Sequence, residues 1–134
     1  VVYSWLGTHD DGGLQDAKWF DVGVETICEA LADPNEKVVV HCHMGVNRAP
    51  SMVFAALLEL GFDIESALDA IRDARPIAKI LYAESAVAWF ADRKGWGTSQ
   101  RAAAQMSVRS WHVSNPADVG WIINRIRLAE AEVA

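Results

Sequence analysis

Two cysteines among 134 residues are too few to staple a disulfide scaffold, and they leave room for a working thiol in a reducing, cytoplasmic setting. Positive charge is also scarce: 12 Lys and Arg stand against 18 Asp and Glu, a net charge of −6. Residues 1–100 hold 8 basic against 15 acidic side chains, and residues 101–134 hold 4 against 3. With no basic half and no Lys/Arg run, neither a nucleic-acid partner nor a membrane surface is expected. No apolar run approaches the roughly 18 residues needed to span a bilayer. The opening VVYSWLG lacks the charged start of a signal peptide. There is no internal repeat and no low-complexity tract. What remains is 51% hydrophobic and 22% charged residues, enough apolar mass for one core in one modest domain.

Local patterns divide the chain. Val1–Leu6, rich in β-branched and aromatic residues, predicts a short strand. A loop follows, Gly7-Thr8-His9-Asp10-Asp11-Gly12-Gly13, whose glycines permit unusual dihedrals. Asp16 is placed to cap a helix running to about Ala32, with Phe20, Val24, Ile27 and Leu31 on one face. Lys37–Val40 contains the unbroken Val38-Val39-Val40, which predicts a strand buried on both faces, as in a parallel sheet. Past the segment 41–50, an almost wholly apolar stretch from Ser51 to about Leu60 predicts a buried helix, with Gly61 placed to end it. Asp63 caps a further helix to about Ala74, and another is expected from about Lys79 to Arg93. Gly95-Trp96-Gly97-Thr98-Ser99 reads as a linker. A short helix over Gln100–Val108 and another after Ser114-Asn115-Pro116 complete the pattern.

The chemistry concentrates between the Val-rich strand and the buried helix, in His41-Cys42-His43-Met44-Gly45-Val46-Asn47-Arg48-Ala49-Pro50. Strand, tight loop and helix N-terminus together make a phosphate cradle: successive backbone N–H groups point inward and the helix end adds partial positive charge. Gly45 lets the backbone approach an anion, and Arg48 can fork two hydrogen bonds onto phosphate oxygens. The same groups favour a thiolate over a thiol at Cys42, and a thiolate beneath a bound phosphate is an in-line nucleophile.

His41-Cys42-x5-Arg48 resembles the signature of the cysteine-dependent protein tyrosine phosphatases, and HCHMGVNR is most similar to the dual-specificity branch. The resemblance covers about Tyr3 to Phe90. It implies an α/β fold, a central, mostly parallel sheet flanked by helices, and hydrolysis of phosphate monoesters through a phosphocysteine. Cys42, Arg48 and Asp10 are then catalytic, His43 to Arg48 bind the phosphate, and His41 and Ser51 support the loop. The family's general acid is an Asp roughly 30 residues before the cysteine. Asp10 is preferred because it lies ten residues before Phe20, with Asp11 as the alternative. No metal and no cofactor is implied: His41, Cys42 and His43 are adjacent on an extended segment, and no second ligand pair has zinc spacing.

Two features depart from the family. Ala49 stands where a Ser or Thr normally follows the arginine, and that hydroxyl helps the cysteine leave in the second step. Slow turnover with an accumulating phosphoenzyme is expected unless Ser51 or a water substitutes. A catalytically weak or inactive phosphopeptide-binding module is the alternative reading. Also, only two strands are legible where the family has several. Either an N-terminal portion precedes residue 1, or Gln100–Ala134 has taken over part of its packing. The expected organisation is a catalytic domain over 1–94, a linker over 95–99 and a helical extension over 100–134. That extension reads as a docked helix, with a partner-binding element as its alternative. The partner of the domain is a phosphorylated protein or a small phosphate ester. Cys28 reads as core, and Arg72, Arg75, Arg93 and Arg101 read as solvated helix faces. Superfamily members acting on RNA 5′-triphosphate ends share a Gly-x-Asn-Arg loop, but the acidic balance and the candidate acid argue against that use. The absence of lysine from Cys42 to Arg48 likewise argues against phosphoinositides.

Overall fold

The computed structural model describes residues 1–133, apart from the side chain of Val119. Among the described residues six helices follow one another: α1 (Ala17–Leu31), α2 (Arg48–Glu59), α3 (Ile64–Ala74), α4 (Ala83–Lys94), α5 (Thr98–Ser114) and α6 (Val119–Val133). Several ends are set by local chemistry. Asp16 accepts from the Lys18 N–H at 2.9 Å and starts α1, and Asp63 accepts from the Ser66 N–H at 2.9 Å and starts α3. α2 closes in a Schellman turn: Phe62 N–H donates to Leu57 O at 3.0 Å and Gly61 N–H to Leu58 O at 3.1 Å, with Gly61 at φ +97°.

The expected α/β architecture is overturned. Among the described residues there is no strand and therefore no sheet. Val1–Leu6 and Lys37–His41 both run without regular structure, because a strand exists only with a ladder partner and neither segment finds one. Val1, Val2, Tyr3 and Trp5 are all exposed. In the Val38-Val39-Val40 run, Val38 and Val40 rest half-buried on the helical core while Val39 is 84% exposed, so one face is covered rather than two.

α2 is the central element. Its buried Met52, Phe54, Ala55 and Leu58 pack between α1, α3 and α4. Gly23 of α1 lets the two helices pack closely, since a Cβ at this position would displace the end of the Met52 side chain. α5 is longer than the short helix expected. It lays Ala104, Val108 and Trp111 on α3 and α4, so the core extends through it. α4 begins at Ala83, later than expected, because the preceding residues bond elsewhere: Lys79 and Ile80 N–H both donate to Val46 O, at 2.9 and 3.1 Å. Ile80 takes φ +61°, rare for a β-branched residue, and is held there by complete burial and by that bond.

Candidate active site

The loop between the extended segment and α2 has its carbonyls committed on one side. Met44 O accepts from Arg75 Nη2 at 2.9 Å and Gly45 O from Arg75 Nε at 3.3 Å. Val46 O takes the two donors of Lys79 and Ile80, and Asn47 O accepts from Ser51 N–H at 2.9 Å. By contrast, no backbone N–H from His43 to Asn47 donates a hydrogen bond among the described residues. A loop with its acceptors engaged and its donors free can receive an anion, and the α2 N-terminus at Arg48 adds partial positive charge beside it. Gly45, at φ +68°, makes the turn that permits this arrangement. A Cβ there would also lie 2.9 Å from the Arg75 guanidinium.

A cavity of about 200 Å³ opens on this loop. Cys42, His43, Met44, Val46, Asn47 and Arg48 line it from the loop, Asp10 from the opposite segment, and Ile123 from α6. Arg48 places Nε 3.7 Å from Asp10 Oδ2, an ion-pair distance, and Nη1 donates to Thr8 O at 3.4 Å. The Arg48 Nε is buried and has no hydrogen-bond partner among the described residues.

Asp10 is held from the other side by Tyr82, whose Oη donates to Oδ1 at 2.6 Å and accepts from Gly12 N–H at 3.1 Å. Burial, followed by the bond to Asp10, pushes the Tyr82 phenol above its ordinary range. Buried Gln15 fixes the same loop: Nε2 donates to His9 O at 2.8 Å, and Oε1 accepts from Thr8 Oγ1 at 2.7 Å. Asp11 is turned elsewhere. It accepts from Gly13 N–H at 2.9 Å and sits 2.8 Å from His9 Nδ1, with a side chain 71% exposed. The Gly13 N–H above all, helped by His9, holds its carboxyl below the usual carboxylate range.

The structure thus brings Asp10, Cys42 and Arg48 to one cavity and leaves Asp11 out of its lining. Gly45 stands behind the loop against Arg75. His41 is exposed, with its ring 6.0 Å from that of Tyr3, and makes no hydrogen bond to the loop among the described residues. Ala49 is buried, and Ser51 is completely buried with its Oγ accepting from Tyr82 N–H at 3.1 Å. Burial pushes the Cys28 thiol up, as suits a side chain packed against the core. Among the described residues no three His, Cys, Asp or Glu side chains converge on a metal position.

Sequence reasoning missed three of these participants. Arg75, read as a solvated face, braces two carbonyls of the loop. Tyr82 carries no local signal, and Ile123 falls in the helix expected after Ser114-Asn115-Pro116 with nothing to set it apart. Each acts across 30 or more residues of chain, where periodicity carries no signal.

Comparison with known proteins decides the lineage. The family model for the dual specificity phosphatase catalytic domain matches residues 3–91. The chain belongs to this family. Relatives of this dual-specificity phosphatase domain include PRL-1 phosphatase of Drosophila melanogaster, 41% identical over 58 residues, which are 43% of this chain and 31% of the relative. Human protein tyrosine phosphatase type IVA 3 is 39% identical over 79 residues, 56% of this chain and 43% of the relative. Dual specificity protein phosphatase 26 of Rattus norvegicus is 32% identical over 78 residues, 58% of this chain and 37% of the relative. The chain spans less than half the length of these curated relatives. No solved structure matches it. Among the described residues no helix is long and apolar enough to cross a membrane.

Proposed function

We propose that this chain hydrolyses phosphate monoesters, on a phosphorylated protein or a small ester, through a phosphocysteine intermediate. One observation carries the reading: Cys42, Arg48 and Asp10 line a single cavity on a loop whose N–H groups are free. In the first step the Cys42 thiolate attacks phosphorus, the bond to the leaving oxygen breaks, and Asp10 delivers its proton to that oxygen. In the second, water attacks the same phosphorus, Asp10 takes the water's proton, and the P–S bond breaks to return the thiolate. Arg48 and the loop N–H groups hold the charge on the equatorial oxygens throughout. The chemistry calls for a reduced Cys42 and therefore a reducing compartment such as the cytoplasm.

A second reading, phosphate binding with little turnover, draws on Ala49. The position after Arg48 has no hydroxyl, and the nearest one along the chain, on Ser51, is buried and accepts from Tyr82 N–H. Rapid-quench kinetics with an aryl phosphate separates the two. A burst of released phenol, with phosphorus trapped on Cys42 and then cleared, supports the enzyme. Cys42→Ser abolishes hydrolysis while sparing phosphate binding. A Cys42→Ser variant with full activity would sink the mechanism, and phosphate affinity without any burst would favour the binder.

A further inference from the structure

The cavity is lined from two stretches close to the loop chemistry, Asp10 and residues 42–48, and from one side chain far along the chain, Ile123. Ile123 lies on α6, beyond the 3–91 stretch that the family model matches, so this contact is an addition to the matched domain. The first turn of α6 is capped from within. Asp118 accepts from Trp121 N–H through Oδ1 at 2.9 Å and from Ile122 N–H through its carbonyl at 3.0 Å. Ile122 is 3% exposed. One turn earlier, Asn115 O accepts from Arg72 Nη1 at 3.0 Å, and Asn115 Nδ2 donates to Trp111 O at 2.9 Å, which ties the α5–α6 connection to α3 and α5. With Ile122 buried and the backbone capped, the adjacent Ile123 is half-buried and turns apolar surface to the cavity.

The remaining lining is charged or polar at Asp10, Arg48, His43 and Asn47, and Val46 is 5% exposed. Ile123 and Met44 are therefore the accessible apolar surfaces. At about 200 Å³ the space lies below the roughly 300–1,000 Å³ of sites for drug-sized ligands, so a single rim side chain decides what fits beside a phosphate.

We infer that Ile123 is a specificity-determining wall: α6 presents it to the leaving group, selecting phosphate esters whose leaving group is apolar and ring-sized over small or polar ones. The inference rests on the phosphatase reading of the cavity, but its test does not require turnover. The full chain is titrated calorimetrically with methylphosphonate and with 1-naphthylmethylphosphonate, neither of which can be hydrolysed. The unmodified chain binds the naphthyl ligand about tenfold more tightly, the scale of a ring against one aliphatic side chain. Ile123→Ala reduces that preference to about twofold or less and moves methylphosphonate affinity by less than about twofold, because the phosphonate group sits on the loop. Ile123→Leu restores the preference. If Ile123→Ala loses methylphosphonate as well, Ile123→Val carries the test, with the preference expected to fall about threefold for one methylene.

A preference that survives in both shortened variants overturns the inference. So does a truncation that tightens both ligands alike, as removal of a lid would. Failure of the unmodified chain to bind methylphosphonate counts instead against the phosphatase reading itself.

Discussion

Tyr82 and Asp10, 72 residues apart, share a 2.6 Å hydrogen bond in which the buried phenol donates to the carboxylate Oδ1. The other carboxylate oxygen faces Arg48 Nε at 3.7 Å. One residue is thereby aimed from two sides, and its loop is closed onto the same phenol through Gly12 N–H.

Removing the phenolic oxygen tests that aim. Tyr82→Phe is expected to lower kcat for alkyl phosphates by about tenfold, while activated aryl phosphates, which need little proton donation, change by less than about threefold. The variant also alters the alkaline limb of stability. Tyr82 titrates above its usual 10.0 in the folded chain, so its contribution is fully present below that value and is lost as pH rises through the raised one. Melting temperatures followed from pH 8 upward should fall less steeply in Tyr82→Phe than in the unmodified chain.

The two neighbouring carboxylates should separate cleanly. Asp10→Asn is expected to slow substrates with poor leaving groups by about 10²–10³-fold. Asp11→Asn should leave hydrolysis within about twofold, since Asp11 spends its oxygens on Gly13 N–H and His9. Because that bonding lowers the Asp11 carboxyl below 3.8, its contribution to loop order is present above that value and is lost as pH falls through the lowered one. Steady-state rates on an alkyl and an aryl phosphate check the first pair of outcomes. Equal losses for Asp10→Asn on both substrates would move the acid elsewhere.

Arg75 is a positioning residue behind the cradle. Lysine cannot reproduce a fork onto two consecutive carbonyls. Arg75→Lys is expected to weaken competitive inhibition by inorganic phosphate about three- to tenfold and to leave the melting temperature nearly unchanged, as befits an exposed side chain. Arg75→Ala should weaken it further. An unchanged inhibition constant in both variants would show that the loop holds its shape without the guanidinium.

Restoring the absent hydroxyl addresses the second chemical step. Ala49→Ser is expected to raise the steady-state rate on the order of tenfold while leaving the rate of the burst unchanged, because only cleavage of the P–S bond gains a donor. Rapid-quench traces with an aryl phosphate read both rates at once. An unchanged steady state would place the slow step elsewhere.

Legibility in the sequence followed the range of each interaction. The caps at Asp16 and Asp63 and the turn at Gly61 were readable because each is settled by bonds that reach no more than five residues along the chain. The segment from Cys42 to Arg48 stands out in the sequence because its residue types and spacing are contiguous, and it was the family resemblance that pointed to Asp10, which lines the same cavity. The failure of the expected strands to form was not legible. Val38-Val39-Val40 has the side chains of a buried strand, but strand formation also needs backbone partners from elsewhere, about which the run itself carries no information. Arg75 and Ile123 escaped for a related reason. A charged residue at the end of α3 looks solvated until the fold brings the loop carbonyls to it, and an isoleucine in an apolar stripe looks like any other core contact.

The paired donors of Lys79 and Ile80 on the one carbonyl of Val46 have a dynamic consequence. Their two amide protons can exchange with solvent only when the segment before α4 lifts from the loop, so hydrogen–deuterium exchange at 79 and 80 is a clock for the loop's opening. An anion that steadies the loop should slow both amides together. Spectra of these two residues alone would then report occupancy without any label on the ligand.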